Sequence, residues 1–226
     1  MPSVFIILPV YNESTEVLIN LIHQLNILPY EIVIVDDGSD NPLINQLRSY
    51  PITLIRHSIN LGQGASIQTG FEYALNNNAD YVVTFDADGQ HVVNEIPSIL
   101  EPLLNNKTDV VLGSRFMTGS FHNASVRKSL AFKLASLVNR LIIRKKISDT
   151  HNGFRAFNKK ALNSIRLTEN KMAHATELII QVKKNKLRLI ELPVTVHYTD
   201  YSRKKGQAWY DPIRIFFDLI LFKFFE

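Results

Sequence analysis

The sequence predicts an α/β fold: a mostly parallel central sheet with helices on both faces. Three observations carry that reading. The strand-like runs are continuously apolar, as strands buried on both sides must be. Stretches with helical spacing separate them, the alternation that builds parallel sheets. Polar clusters follow several strands directly, where an open parallel sheet forms its ligand crevice.

The elements follow in order. "VFIIL" (4–8) is the first strand, and Leu18, Leu21, Ile22 and Leu25 mark a helix after the polar "NEST". "EIVIVDD" (31–37) is the second strand; Asn41-Pro42 reads as an N-cap followed by proline at the first helical position. "ITLIRH" (52–57) precedes a stripe of Ile67, Phe71, Ala74 and Leu75, and "YVVTFD" (81–86) and "DVVLGSR" (109–115) complete the regular series. Beyond residue 115 the alternation weakens. A basic helix is expected from about Val126 to Arg144 and another around Ala173–Lys184, then "LRLIELPVTVHY" (187–198) as one or two strands. We expect residues 1–208 to form one domain and 209–226 an apolar, aromatic helix.

With 226 residues, 46% of them hydrophobic, the chain suffices for one globular core. It has no cysteine, which rules out disulfides and thiolate metal sites. A formal net charge of +4 points to anionic partners without choosing among them. The C-terminal run "IRIFFDLILFKFF" is shorter than the roughly 18 apolar residues of a spanning helix and carries Arg214, Asp218 and Lys223. It does not span a membrane, and no signal peptide is evident.

Four loops bring polar clusters to the carboxyl edge of the sheet: "PVYNE" (9–13), "DDGS" (36–39), "NLGQG" (60–64) and "DADGQH" (86–91). Asp36 and Asp37 read equally as helix-capping residues. Asp86 and Asp88 stand two apart at a strand end, and such carboxylates repel unless a cation joins them. A hard divalent ion, Mg²⁺ or Mn²⁺, takes oxygen ligands, and Gln90 offers an amide oxygen. His91 reads as a ligand, as a support behind the ligands, or as an exposed residue. Gly62, Gly64 and Gly70 fit neither the dinucleotide fingerprint nor the P-loop. They read as a tight turn into a helix whose first amides face an anion.

Six motifs in order, "ILPVYNE", "IVIVDDGS", "NLGQGASIQTG", "TFDADGQH", "VLGSR" and "SDTHNGFRAF", resemble the family 2 glycosyltransferases of the GT-A fold. The branch they are most similar to makes dolichyl- and polyprenyl-phosphate sugars. The resemblance spans roughly residues 3–207. It implies that Pro9, Tyr11, Glu13, Asp37, Gly64 and Asp86 bind a nucleotide-sugar, UDP- or GDP-linked. It implies a Mg²⁺ or Mn²⁺ site at Asp86, Asp88 and Gln90, a phosphate-facing Arg115, and an acceptor and sugar pocket at Asp149, Gly153 and Arg155. Near the C-terminus "YSRKKGQAW" lacks the Ser-Lys of the family pattern, so Arg203, Lys205 and Gly206 match loosely.

The implied reaction is an inverting, metal-dependent transfer. Asp88, Asp149, Arg115 and Arg203 are its catalytic candidates. An anionic lipid phosphate needs no general base but does need cations: Arg115, Arg127, Lys128 and Arg203. A sugar hydroxyl would need a base, with Asp149 first and Glu177 second. That hydroxyl acceptor is the alternative reading; a non-catalytic nucleotide-sugar binder is the third. The stripe Val126, Leu130, Leu134, Leu137, Val138 and Leu141 beside Lys133 and Arg140 suits an anionic membrane interface, or equally a core-facing helix with a solvated basic face. Trp209, Tyr210, Phe216, Phe217, Phe222, Phe224 and Phe225 call for a protein or lipid surface. We expect a peripheral enzyme at the cytoplasmic face of the membrane, with room for a membrane-spanning partner protein and no role in nucleic-acid binding.

Overall fold

A computed structural model describes residues 2–123, 147–171 and 173–198. The expected strands form as β1 (Val4–Val10), β2 (Glu31–Asp36), β3 (Thr53–Arg56), β4 (Tyr81–Thr84) and β5 (Val110–Ser114). A two-residue strand β6 (Phe121–His122) follows, then β7 (Arg155–Asn158), β8 (Leu189–Pro193) and β9 (Thr195–Val196). The large sheet runs β3-β2-β1-β4-β7-β5-β8, and β6 pairs with β9 as a separate ribbon. All neighbours in the large sheet are parallel except β7, which runs antiparallel to both β4 and β5.

The helices are α1 (Thr15–Leu25), α2 (Ile44–Leu47), α3 (Gln63–Asn76), α4 (Ile96–Leu104), α5 (Lys159–Ser164) and α6 (His174–Lys184). One expectation fails in detail. Asn41-Pro42 does not start a helix: α2 begins at Ile44, lasts a single turn, and is capped by no side chain. The basic stretch 126–144 and the aromatic segment 209–226 lie outside the described residues.

Side-chain alternation divides the core into two layers. Ile6 and Leu8 of β1 join Ile34, Val83 and Val111 on the face covered by α1 and α4, through Leu18, Ile22, Ile96 and Leu100. Phe5 and Ile7 point the other way and meet Val35, Phe157 and the α3–α6 side chains Phe71, Leu178 and Val182. Each such fully buried side chain contributes roughly 1.5–3 kcal/mol. The sheet is thus a rigid floor, and its parallel strands deliver their carboxyl ends to one edge. Because β7 runs backwards, its first residue, Arg155, reaches that same edge, paired with Thr84.

Candidate active site

Two acidic strand ends meet at this edge, and they differ. At the end of β2, Asp36 is fully buried, accepts the Ser39 amide at 3.0 Å and forms an ion pair with Arg56. Asp37 Oδ1 accepts from His57 Nδ1 at 2.7 Å and from the Leu61 amide at 3.0 Å, while its Oδ2 accepts the Gly62 amide at 2.7 Å. His57 Nε2 in turn meets the Thr69 hydroxyl at 2.9 Å. Asp37 therefore ties down the loop between β3 and α3. Pro9 lies beside Val35 one residue before the end of β1, half-exposed Tyr11 follows the strand, and Asn12 laces this loop to Ser39 and Asp40.

The glycine loop behaves differently from expectation. The amides of Gly64 and Ala65 donate to the Asn170 carbonyl, at 2.8 and 3.4 Å, so these two face main chain rather than an anion. A Cβ at Gly64 would lie 2.0 Å from the Glu169 carbonyl oxygen, which makes glycine obligatory there. The 168–169 turn is itself held by Glu177, whose carboxylate accepts the Thr168 and Glu169 amides at 3.0 Å each. From this helix start only Gln63 reaches the acidic pair, donating to Asp86 Oδ1 at 3.1 Å.

At the end of β4 the two carboxylates have different surroundings. Asp86 faces His91 Nε2 at 3.2 Å and rests on Gly153, where any Cβ would lie 2.2 Å from its oxygen. Burial opposes its ionisation, but the His91 contact and the positive charges of Arg155 and Arg115 outweigh it and hold the carboxyl below its usual range. Asp88 is less well supported, because His91 and the Gln90 amide favour its ionisation but are outweighed. Burial first, then the negative charge of Asp86, push its carboxyl up to about 6, with half-buried Glu13 adding to the effect. Gln90 folds back on Asp88 with both its amide N–H and its side chain.

Beside the pair, Arg115 and Asp149 form a buried fork. Nε and Nη2 of Arg115 each reach an Asp149 oxygen at 2.7 Å, the Arg115 amide donates to Asp149 Oδ2 at 3.0 Å, and Nη1 donates to Tyr198 Oη at 2.8 Å. Burial works against both charges; their mutual attraction outweighs it, lowering Asp149 and raising Arg115. Glu191 secures the loop entering this fork through the Ser148 and Asp149 amides. Arg155 is buried with its Nε and Nη2 on the carbonyls of Asn152 and Thr150, and burial lowers it to about 10.

The structure thus brings together Pro9, Tyr11, Glu13, Asp37, Asp86, Asp88, Gln90, Arg115 and Asp149, and sets Gly64 in the packing behind them. Arg127, Lys128, Arg203, Lys205 and Gly206 lie outside the described residues. Sequence reasoning did not single out His57, Gln63, Tyr198 or Glu191, all of which hold site residues in place. His57 directly follows β3 and Gln63 opens α3, so their positions were the available signal.

Asp86, Asp88 and Gln90 present hard oxygen donors within five residues, and Asp88 has a carboxyl that a cation would relieve. Among the described residues no three His, Cys, Asp or Glu side chains gather into a closed metal site. These are the oxygen donors that a hard divalent ion takes.

The fold is shared with a solved sugar-nucleotide complex. A solved structure of Staphylococcus aureus TarS in complex with UDP-GlcNAc superimposes with a TM-score of 0.57 at 16% identity, over 94% of this chain and 65% of that one. Residues 5–166 match the family described as Glycosyl transferase family 2, and the chain belongs to it: this is a glycosyltransferase. Among its relatives, a UDP-N-acetylglucosamine–dolichyl-phosphate N-acetylglucosaminyltransferase of Methanococcus voltae is 32% identical, over 97% of this chain and 96% of its own length. A dolichol-phosphate mannosyltransferase of Pyrococcus furiosus is 29% identical over 96% of this chain, which spans 64% of that protein.

Proposed function

We propose that this enzyme transfers a sugar from a nucleotide-linked donor to a polyprenyl or dolichyl phosphate, with inversion at the anomeric carbon. One observation carries the choice of acceptor. Asp149 and Glu177, the two carboxylates that a hydroxyl acceptor would call on as base, are both committed inside the protein. Asp149 is locked to Arg115 and held ionised, and Glu177 anchors the 168–169 turn. A phosphate monoester is already an anion near neutral pH and attacks without surrendering a proton to the enzyme. The relatives named for dolichyl-phosphate transfer support the same acceptor.

The residues divide the work. The loops after β1 and β2 hold the nucleoside end, with Tyr11 offering its exposed ring and Asp37 keeping the glycine loop in register. Asp86, Asp88 and Gln90 would hold a divalent ion, which when bound offsets the charge growing on the departing diphosphate. Arg155, behind Asp86 and Gly153, adds fixed positive charge in a region poor in water, where it acts at short range. The Arg115–Asp149 fork keeps the floor of the acceptor side rigid. Among the described residues no helix is long and apolar enough to cross a membrane; we place the enzyme peripherally against the surface that carries its lipid.

The test is a donor screen with UDP-N-acetylglucosamine, UDP-glucose and GDP-mannose against dolichyl and undecaprenyl phosphate, in Mg²⁺ or Mn²⁺, read by mass spectrometry. The expected product is a lipid-extractable, acid-labile phosphosugar of inverted configuration. Transfer only to a sugar hydroxyl, with no lipid-phosphate product, would overturn the acceptor.

A further inference from the structure

His91 closes the "DADGQH" turn, and its surroundings define what it does. Its ring is buried, meets Phe85 edge-on and Phe154 at a tilt of 51°, with centroids 5.4 Å away in each case, while those two phenyl rings lie 5.0 Å apart. Phe85 directly precedes Asp86, and Phe154 directly follows Gly153, the residue on which Asp86 rests. The clamp is therefore built from the same two strand ends that fix the carboxylate from above and below. The backbone is pinned as well: His91 bridges to Val196, and the Gln90 carbonyl accepts the His197 amide at 2.8 Å.

The two ring nitrogens are unequal. Nε2 lies 3.2 Å from Asp86 Oδ2, while Nδ1 is buried with no hydrogen-bond partner among the described residues. A proton on Nδ1 would leave a buried N–H unpaired, at a cost of about 1–3 kcal/mol; a bare lone pair is the milder vacancy. The ring proton accordingly sits on Nε2 and points at Asp86. Nε2 is the ring nitrogen turned toward Asp86.

We propose that His91 is a positioning residue: clamped between Phe85 and Phe154, it donates Nε2–H to Asp86 and fixes that carboxylate for the donor nucleotide and its ion. Gln63 holds the other Asp86 oxygen at 3.1 Å from the side of α3, and Gly153 leaves room beneath. Of these three supports His91 alone is held rigid by aromatic contacts on its own ring. The proposal rests on the reading of Asp86 and Asp88 as the donor site.

Two substitutions pull in opposite directions. His91→Phe keeps an aromatic ring in the clamp and removes the donor; His91→Gln removes the ring and keeps an N–H near the position of Nε2. Binding of Mn²⁺ with UDP, and separately with GDP, is measured by calorimetry for each protein, beside its melting temperature. Supports behind metal-site ligands typically carry 10- to 100-fold in affinity, so we expect His91→Phe to bind about 10-fold or more weakly than wild type. His91→Gln should retain most of the affinity despite a lower melting temperature. Equal binding by wild type and His91→Phe, or better binding by His91→Phe than by His91→Gln, overturns the proposal, since the ring would then be the only thing that matters. If His91→Phe does not fold, His91→Met takes its place as the variant without a donor. Failure of the wild type to bind Mn²⁺ with either nucleotide would instead overturn the donor-site reading, and this proposal with it.

Discussion

The strand ends at Asp36-Asp37 and at Asp86-Asp88 look alike in sequence, and they do opposite things. Asp37 is saturated from within by His57, Leu61 and Gly62, and Asp36 by Arg56 and Ser39. Asp86 has His91, Gln63 and a buried Arg155 nearby, whereas at Asp88 burial and a like charge outweigh the His91 charge and the Gln90 amides. A carboxylate whose partners all come from the protein contributes to stability. One left short of positive charge costs stability and is available to a ligand. Satisfaction, more than the mere presence of acid, separates scaffold from site.

Asp88→Asn should produce the largest effect. It removes the under-compensated carboxylate, and with it several kcal/mol of charge stabilisation in the transition state, or roughly a 10²- to 10³-fold loss of turnover. Its melting temperature should be no lower than that of wild type, because the amide relieves both the burial of charge and the repulsion from Asp86. A large drop in melting temperature would place Asp88 with the structural acids and dissolve the distinction.

Asp37→Asn should behave in the reverse sense. The amide cannot accept from His57 and both loop amides at once, and charge-assisted hydrogen bonds contribute about 1.5–3 kcal/mol each. We expect a loss of about 2–3 kcal/mol in urea unfolding, with transfer weakened mainly through the affinity for the donor nucleotide. Unchanged stability together with a collapse of donor binding would show that Asp37 touches the nucleotide itself.

The sequence made part of this contrast legible. Continuous apolar runs located the parallel strands, and the run "YVVTFDADGQH" announced the acidic pair, because those signals are local. The antiparallel strand β7 was hidden: "RAFN" is short, and only its insertion between β4 and β5 defines it. The same applies to the carboxylate partners. Leu61 and Gly62 lie 24 and 25 residues beyond Asp37, and Asp149 lies 34 beyond Arg115. Gly64 was read as facing an anion because nothing near it in sequence announces Asn170. Charge balance is a property of tertiary contacts, so a motif shows where acids stand and not which of them are already satisfied.

The smallest expected effect concerns the packed side of the crevice, behind α3. His174 is buried, donates Nδ1–H to the Lys171 carbonyl at 2.6 Å, and lies against the backbone of Gly64. Burial first, then the charge of Arg155, lower it to about 3. The folded state thus keeps the ring neutral while the unfolded chain protonates it below about 6.5, so stability is full above that pH and lost as pH falls toward 3. The slope from one such group is about 1.4 kcal/mol per pH unit. His151, lowered to about 4 chiefly by burial, adds to it in the same direction. Asp149 and Asp109, held low by Arg115 and Arg188, lose their contributions only below about pH 4, which leaves the interval from 6.5 to 4.5 to the histidines. Urea unfolding across that interval is cleanest in Asp88→Asn, which removes a carboxyl that titrates there in the opposite sense. Adding His174→Gln should flatten the fall by about 1 kcal/mol per unit while leaving Mn²⁺–nucleotide binding near neutral pH within a few-fold. An unaltered slope would mean that His174 already reaches solvent or a counter-charge, and that the packed side of the crevice is less sealed than its contacts imply.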